Sequence, residues 1–390
     1  YSQVNLRANE YIGLIGFLES RAGLNRKLEF LPYEDQWEER AAKSEELTRP
    51  ELSVLTSYMK MHLKSELLAA DFLHDDYLLP YLYRAFPEKL PRSYIKHMEQ
   101  HQLRAEIIAT QLANVLVNLF GPSFFYRMEE STDANICEIV KAVVIAKDLF
   151  RVEDYWQQIE ALDYKVDADI QNEMMLQLMR LTRRVTRWLL RNRRGRLEFR
   201  STIDVFSKAV NMTVRLLPRK LPSELHGNWQ VTNRYYLDKG VPEELARFIA
   251  LTDYLHSLVG VVEVSLSHKV TCNMVLDIYY AVGEHLRLDW LGQLISELGV
   301  SNYWEALARE TFQDDLGWQQ RALTCNVIDS MGKKARVKST ISSWGRQHAE
   351  HIERLQEMLV QLQREGQSDY PMFSVVLREL LNLAQCTAHK

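Results

Sequence analysis

His97 and His101 stand four residues apart, a spacing that puts two imidazoles on one face of a helix where they could share a metal ion. A zincin helix needs glutamate directly after the first histidine and a third ligand elsewhere, and the string here is HMEQH, residues 97–101, which lacks that glutamate. His348 and His351 form a second pair three apart. No Glu-x-x-His occurs, which removes the usual di-iron helical bundle. The acidic pairs Asp75–Asp76 and Asp314–Asp315 continue as DDYLL and DDLGW, without the third aspartate of the magnesium-diphosphate motif DDxxD. Asp75 reads better as a helix cap. No catalytic, cofactor-binding or metal-ligating residue is assigned on these grounds; ordinary core or surface roles explain the histidines and acids.

Dinucleotide binding needs a glycine-rich turn between a strand and a helix, so that backbone N–H groups can approach the pyrophosphate. The 15 glycines include no GxG and no GxxxxGK. This argues against a Rossmann domain or a phosphate-binding loop within these residues.

The strongest charge feature is RLTRRVTRWLLRNRRGRLEFR, Arg180 to Arg200, with nine arginines and one glutamate. Met174, Leu178, Leu181, Val185 and Trp188 give the apolar stripe of a helix, and Arg180, Arg184, Arg187, Arg191 and Arg194 follow beside it in the same four-three rhythm. One reading is a phosphate-binding ridge, which would make the chain an independent helical nucleic-acid-binding protein. The favoured reading is an interface flank that pairs with the acidic side chains of the chain, since a guanidinium matches a carboxylate fork. The net charge of −4 and the scarcity of aromatics in the run, Trp188 and Phe199, weigh against nucleic acid. A second candidate interface is the polar ridge Thr110, Asn114 and Asn118, spaced by four along a helix that carries Ile108, Leu112, Val115, Leu116 and Leu119. None of the three ionises near neutral pH, so they suit a hydrogen-bonded seam that fixes helix register rather than acid–base work.

The elements behind these residues are helices. Glycine and proline are few, 15 and 10 in 390 residues, and alternating apolar–polar runs are scarce. An all-α multi-helix bundle without a Rossmann sheet is expected, in two packed helical subdomains, 1–195 and 196–390, whose boundary falls between about 192 and 230. Helices are predicted over 2–21, about 76–85, 92–120 (read through to Gly121–Pro122), 134–149, 153–162 and 168–193. Thr48, Pro50 and Glu51 form a capping-box signature, and Leu52, Leu55, Met59, Leu63 and Leu67 follow as its buried face. LPRKLPSELHGNWQ, 217–230, reads as a break, GVPEELARF as a helix start, 343–364 as a helix with Ile352, Leu355, Leu359 and Leu362 in register, and SDYP, 368–371, as the start of the last helix.

Cys137, Cys272, Cys325 and Cys386 have no CxxC spacing and suit core packing in a reducing, cytoplasmic setting. No run of eighteen apolar residues is present, so no membrane partner is expected. The first methionine is Met59, which suggests a piece of a longer protein.

Several strings together resemble the C-terminal region of the large bacterial NAD-specific glutamate dehydrogenases: LTRPELSVLTSYMK (47–60), LRAEIIATQLANVLVNLFGPSF (103–124), TRWLLRN (186–192), GVPEELAR (240–247), YYAVGEHLRLDWL (279–291), YWEALARETFQDDL (303–316) and QRALT (320–324). The resemblance runs from about 28 to 325; residues 335–390 carry no distinctive string. It implies a parent enzyme that deaminates L-glutamate to 2-oxoglutarate and ammonia while reducing NAD. It also implies that catalytic and NAD-binding residues belong to an upstream domain, and that this helical part docks on that domain, helps assemble a homo-oligomer or takes part in regulation.

Overall fold

A computed structural model describes residues 2–43, 45–90, 92–192, 197–331, 337–365 and 369–387. Among them lie 20 α-helices, four short 3-10 segments and no strand, so the chain is all-α. It divides into two compact units that interleave in sequence. One gathers Tyr1–Ala146, Thr186–Thr202 and Ser301–Tyr303; the other gathers Lys147–Val185, Ile203–Val300 and Trp304–Lys390. Neither unit follows a single cut between 192 and 230.

In the first unit the helix Arg49–Leu68 packs along Arg104–Phe120 and against Ser2–Ala22. Its start is the expected capping box. Thr48 Oγ1 accepts the Glu51 N–H at 3.4 Å, and the Thr48 N–H donates to Glu51 Oε2 at 2.7 Å, satisfying N–H groups that the first turn leaves open. Leu55, Met59, Leu63 and Leu67 are fully buried, each stabilising by about 1.5–3 kcal/mol relative to exposure. Leu52 is only half-buried; the Glu51 side chain occupies the buried position beside it.

Two expectations for the partner helix need correction. It does not run unbroken from 92: the short helix Ile95–Glu99 and the helix Arg104–Phe120 meet at a sharp bend, 99° in the segment Arg92–Phe120. The Leu103 N–H donates to His101 Nδ1 at 3.1 Å, and the His101 carbonyl accepts the Arg104 N–H at 3.0 Å, so a tight turn replaces helical bonds there. The buried arc also differs. Ile108, Ala109, Leu112, Ala113, Leu116 and Val117 are buried, whereas Val115 and Leu119 are half-buried, because the helix meets Arg49–Leu68 on one flank and Leu79–Tyr83 on another. The stop holds as read: Gly121 at φ 82° donates its N–H to the Val117 carbonyl at 2.9 Å.

In the second unit Ser223–Asp238 and Glu243–Leu255 form a helical hairpin, closed by Gly240 at φ 83° with the Val241 N–H on the Tyr236 carbonyl at 3.1 Å. The break expected over 217–230 shrinks to the 3-10 turn Leu217–Arg219 and Pro222; Gly227 lies inside the helix, where one glycine costs only about 1 kcal/mol relative to alanine. The helix expected over 343–364 is two, Val337–Gln347 and Ala349–Glu365, although Ile352, Leu355, Leu359 and Leu362 are all buried as their register demands. Asp369 opens the last helix, Tyr370–Thr387, by accepting the Met372 N–H at 3.0 Å. The four cysteines are free thiols: Cys272 is buried, Cys137 and Cys325 are half-buried and Cys386 is exposed.

Candidate docking and assembly surfaces

The helix Ala168–Asn192 carries the arginine ridge, and its apolar stripe is as read at Met174, Leu178, Leu181 and Val185, which are buried; Trp188 is only half-buried, and Leu189 and Leu190 take the buried positions beside it. The arginines beside it have separate fates. Arg180 is exposed. Arg184 lies 3.6 Å from Asp253, a part-exposed pair worth at most about 1 kcal/mol. Arg187 is 8% exposed and donates to Ser131 Oγ at 2.9 Å, and Arg191 donates to the Ser131 carbonyl at 3.0 Å. Arg180 and Arg184 belong to the second unit, Arg187 and Arg191 to the first; Arg194 lies outside the described residues. A phosphate strip needs neighbouring guanidinium groups standing in water, and the burial of Arg187 breaks such a row. Arg184 stands near one carboxylate, Asp253, while Arg187 and Arg191 also grip a hydroxyl and a carbonyl.

On Arg104–Phe120 the polar ridge is graded. Thr110 and Asn114 are half-buried and Asn118 is exposed. Thr110 Oγ1 donates to the Glu106 carbonyl of its own helix at 2.6 Å. The structure therefore spends the threonine locally and leaves the outer end of the ridge facing solvent.

Two of the motifs weighed for metals and acid chemistry, His97–His101 and Asp75–Asp76, make packing, capping and ion-pair contacts. The His97 ring lies against Tyr94 at 5.8 Å and the His101 ring against Phe86 at 6.2 Å, each on its own aromatic. Asp75 accepts the Tyr77 N–H at 2.9 Å, as a cap should, and Asp76 pairs with Arg104 at 3.1 Å. Among the described residues no three His, Cys, Asp or Glu side chains converge as a metal would require.

Two part-buried carboxyls, one per unit, have charged neighbours that the sequence does not reveal. Glu51, besides capping, receives both Arg40 Nη atoms at 2.8 and 2.9 Å. Burial alone would raise its pKa; the Arg40 and Thr48 hydrogen bonds outweigh that and hold it below the usual carboxylate value. Asp289, on Leu288–Glu297, is pushed up to about 6 by burial and then by the negative charges of Glu284 and Glu224. Around it Gln320 Nε2 donates to the Tyr279 carbonyl at 3.1 Å. A Cβ at Gly283 would stand 2.8 Å from that amide and 3.5 Å from Asp289 Oδ2, so a larger residue there would require the Gln320 side chain to move. Nearer the arginine helix, His256 has an enclosed Nδ1, and burial, then the charge of Arg184, depress its pKa to about 3. The capping signature marks Glu51 as a cap but not its pairing with Arg40; nothing local marks Asp289 or His256.

Comparison with known proteins settles what these helices belong to. The family described as glutamate dehydrogenase, C-terminal, matches residues 44–382, including most of the stretch after 335 in which no distinctive string was read. The NAD-specific glutamate dehydrogenase of Pseudomonas aeruginosa is 42% identical over 383 residues, covering 98% of this chain and 24% of its own length. The enzyme of the same name from Halomonas elongata is 37% identical over 375 residues, and that from Mycobacterium tuberculosis 28% over 371, each along 23% of its length. The chain thus spans about a quarter of the length of these relatives, and it belongs to the glutamate dehydrogenase C-terminal family.

Proposed function

We propose that these residues are the C-terminal, non-catalytic part of an NAD-specific glutamate dehydrogenase, serving domain docking and oligomer assembly. The parent reaction takes L-glutamate, NAD and water to 2-oxoglutarate, ammonia and NADH, with the dinucleotide held by a domain outside this chain. The observation that carries the reading is the family match over 44–382. The residues present do not fit NAD. The described part has no strand to lead into a helix N-terminus, and the sequence has no GxG turn. The chain's contribution is therefore a framework of packed helices: the capped Arg49–Leu68 against Arg104–Phe120 in one unit, the hairpin Ser223–Leu255 in the other. The exposed Asn118 and Arg180 lie on faces open to a partner, the rest of the chain or a second copy. The free thiols suit a cytoplasmic enzyme.

The test is glutamate-dependent NAD reduction by residues 1–390 alone, with helical circular dichroism as the check of folding, beside the full-length enzyme. Turnover is expected only from the latter. Turnover by the folded piece would overturn the reading.

A further inference from the structure

The helix Ser2–Ala22 ends in a closure that uses glycine: Gly23 sits at φ 67° and the Leu24 N–H reaches back to the Leu18 carbonyl at 3.2 Å. The next residues repeat the device. The Glu29 N–H donates to the Asn25 carbonyl at 3.0 Å, the Leu31 N–H donates to the Arg26 carbonyl at 3.0 Å, and the left-handed position is taken by Phe30, φ 55°. Glycine suits that backbone because it has no Cβ; a phenylalanine there is strained. The ring gains little from its own chain, since Phe30 is 88% exposed, and Leu28, two residues before it, is 71% exposed.

The turn that shows these side chains is held firmly. Leu24 and Leu31 are buried beneath it. Arg26, itself buried, binds Glu19 at 2.9 Å and Glu34 at 2.8 Å and lies over the Tyr33 ring. Asn25 Oδ1 accepts the Leu28 N–H at 3.1 Å, and Glu29 accepts the Tyr58 hydroxyl at 2.8 Å. Tyr164 in the second unit is also exposed at positive φ, but exposed Asp163 and Lys165 flank it, and a lone surface aromatic needs no partner. Leu28 and Phe30 are two exposed apolar side chains on a preset turn; aromatic residues such as Phe30 are enriched in interface cores, and a preset turn loses little freedom on binding.

We propose that Leu28 and Phe30 form a preformed knob that inserts into an apolar pocket on the part of the same polypeptide lying outside these 390 residues. The choice of occupant rests on length: the chain accounts for 24% and 23% of two relatives, leaving a stretch of polypeptide about three times its size, tethered to this part and so present at high local concentration. The proposal rests on the reading of the chain as that C-terminal part.

The test uses the full-length protein with Phe30→p-benzoylphenylalanine, prepared as a mixture of isotopically light and heavy chains. Irradiation is expected to join position 30 to a peptide outside residues 1–390 of equal label. Mixed-label pairs would place another copy at the knob, and solvent photoproducts alone would leave it empty; either result overturns the proposal. A second variant, Phe30→Asn, suits the left-handed backbone better and removes the ring. In the full-length enzyme it should speed amide exchange over residues 27–33 at least tenfold. Unchanged or slower exchange would mean that the ring serves no contact, and the proposal fails. A failed cross-link with normal enzyme activity sinks the knob alone, whereas turnover by residues 1–390 sinks the assignment of function and leaves the knob standing.

Discussion

Glu51 in the first unit and Asp289 in the second are both carboxyls drawn partly out of water, and they end with opposite chemistry. Desolvation opposes charge at both. At Glu51 a guanidinium and two capping groups of Thr48 supply more than burial removes, so the carboxylate persists. At Asp289 the neighbouring charges are Glu284 and Glu224, which add to the penalty instead of relieving it. Burial is the shared starting cost; the sign of the nearest charge decides whether the fold gains a strut or a proton-sensitive weak point.

An apolar yardstick comes first. Leu112→Ala, at a site with no exposure, should destabilise by about 2–5 kcal/mol in denaturant unfolding, and a near-zero effect would show that this face is not core. Arg40→Met should cost roughly 2–4 kcal/mol, because it strands Glu51 without its cation; a loss below 1 kcal/mol would erase the contrast with Asp289. Asp289→Asn should act in the other direction. Its folded pKa near 6 lies above the ordinary 3.8, so the carboxyl costs nothing below about pH 4, and stability falls as pH rises through 6. The asparagine variant should therefore gain ~1–3 kcal/mol at pH 7.5 and little at pH 4, read from thermal melts across that range. Glu51 has the reverse sign: its depressed pKa gives stability that is complete above the ordinary carboxylate value and lost in acid, so Glu51→Gln should flatten the acid limb of the same melts. The smallest effect expected is Thr48→Ala, about 1 kcal/mol from the lost cap.

The legible parts of the fold were those encoded within a turn or two of chain. Thr48, Pro50 and Glu51 announce a helix start, Gly121 a stop, and Met174 to Val185 a buried stripe, because capping and 3.6-residue periodicity are local. Asp75 and Asp369 capped as short acidic side chains do. Less legible were choices made by distant partners. Arg187 is buried and Arg180 is not, though both keep one rhythm, since Ser131 stands 56 residues away from the first. The turn at His101, the helical Gly227 and the break at His348 are decided by weak local competition that tertiary packing tips. The interleaving of the two units, with residues 186–192 grouped apart from the rest of their helix, has no marker in composition. Of the candidate interface, Arg184 was legible as one of a row of arginines, but its neighbour Asp253 was not, and nothing signalled that Phe30 would occupy a glycine position.

The four free thiols offer a practical handle. Burial, with Glu66 next in weight, lifts Cys137 to about 11, so at pH 8 only about one molecule in a thousand carries the reactive thiolate there. Cys272 is shielded by packing and Cys325 is half-buried, while Cys386 stands open on the final helix. A brief maleimide treatment should therefore favour the tail of the chain, giving a fluorophore or spin label a defined seat with no engineered residue.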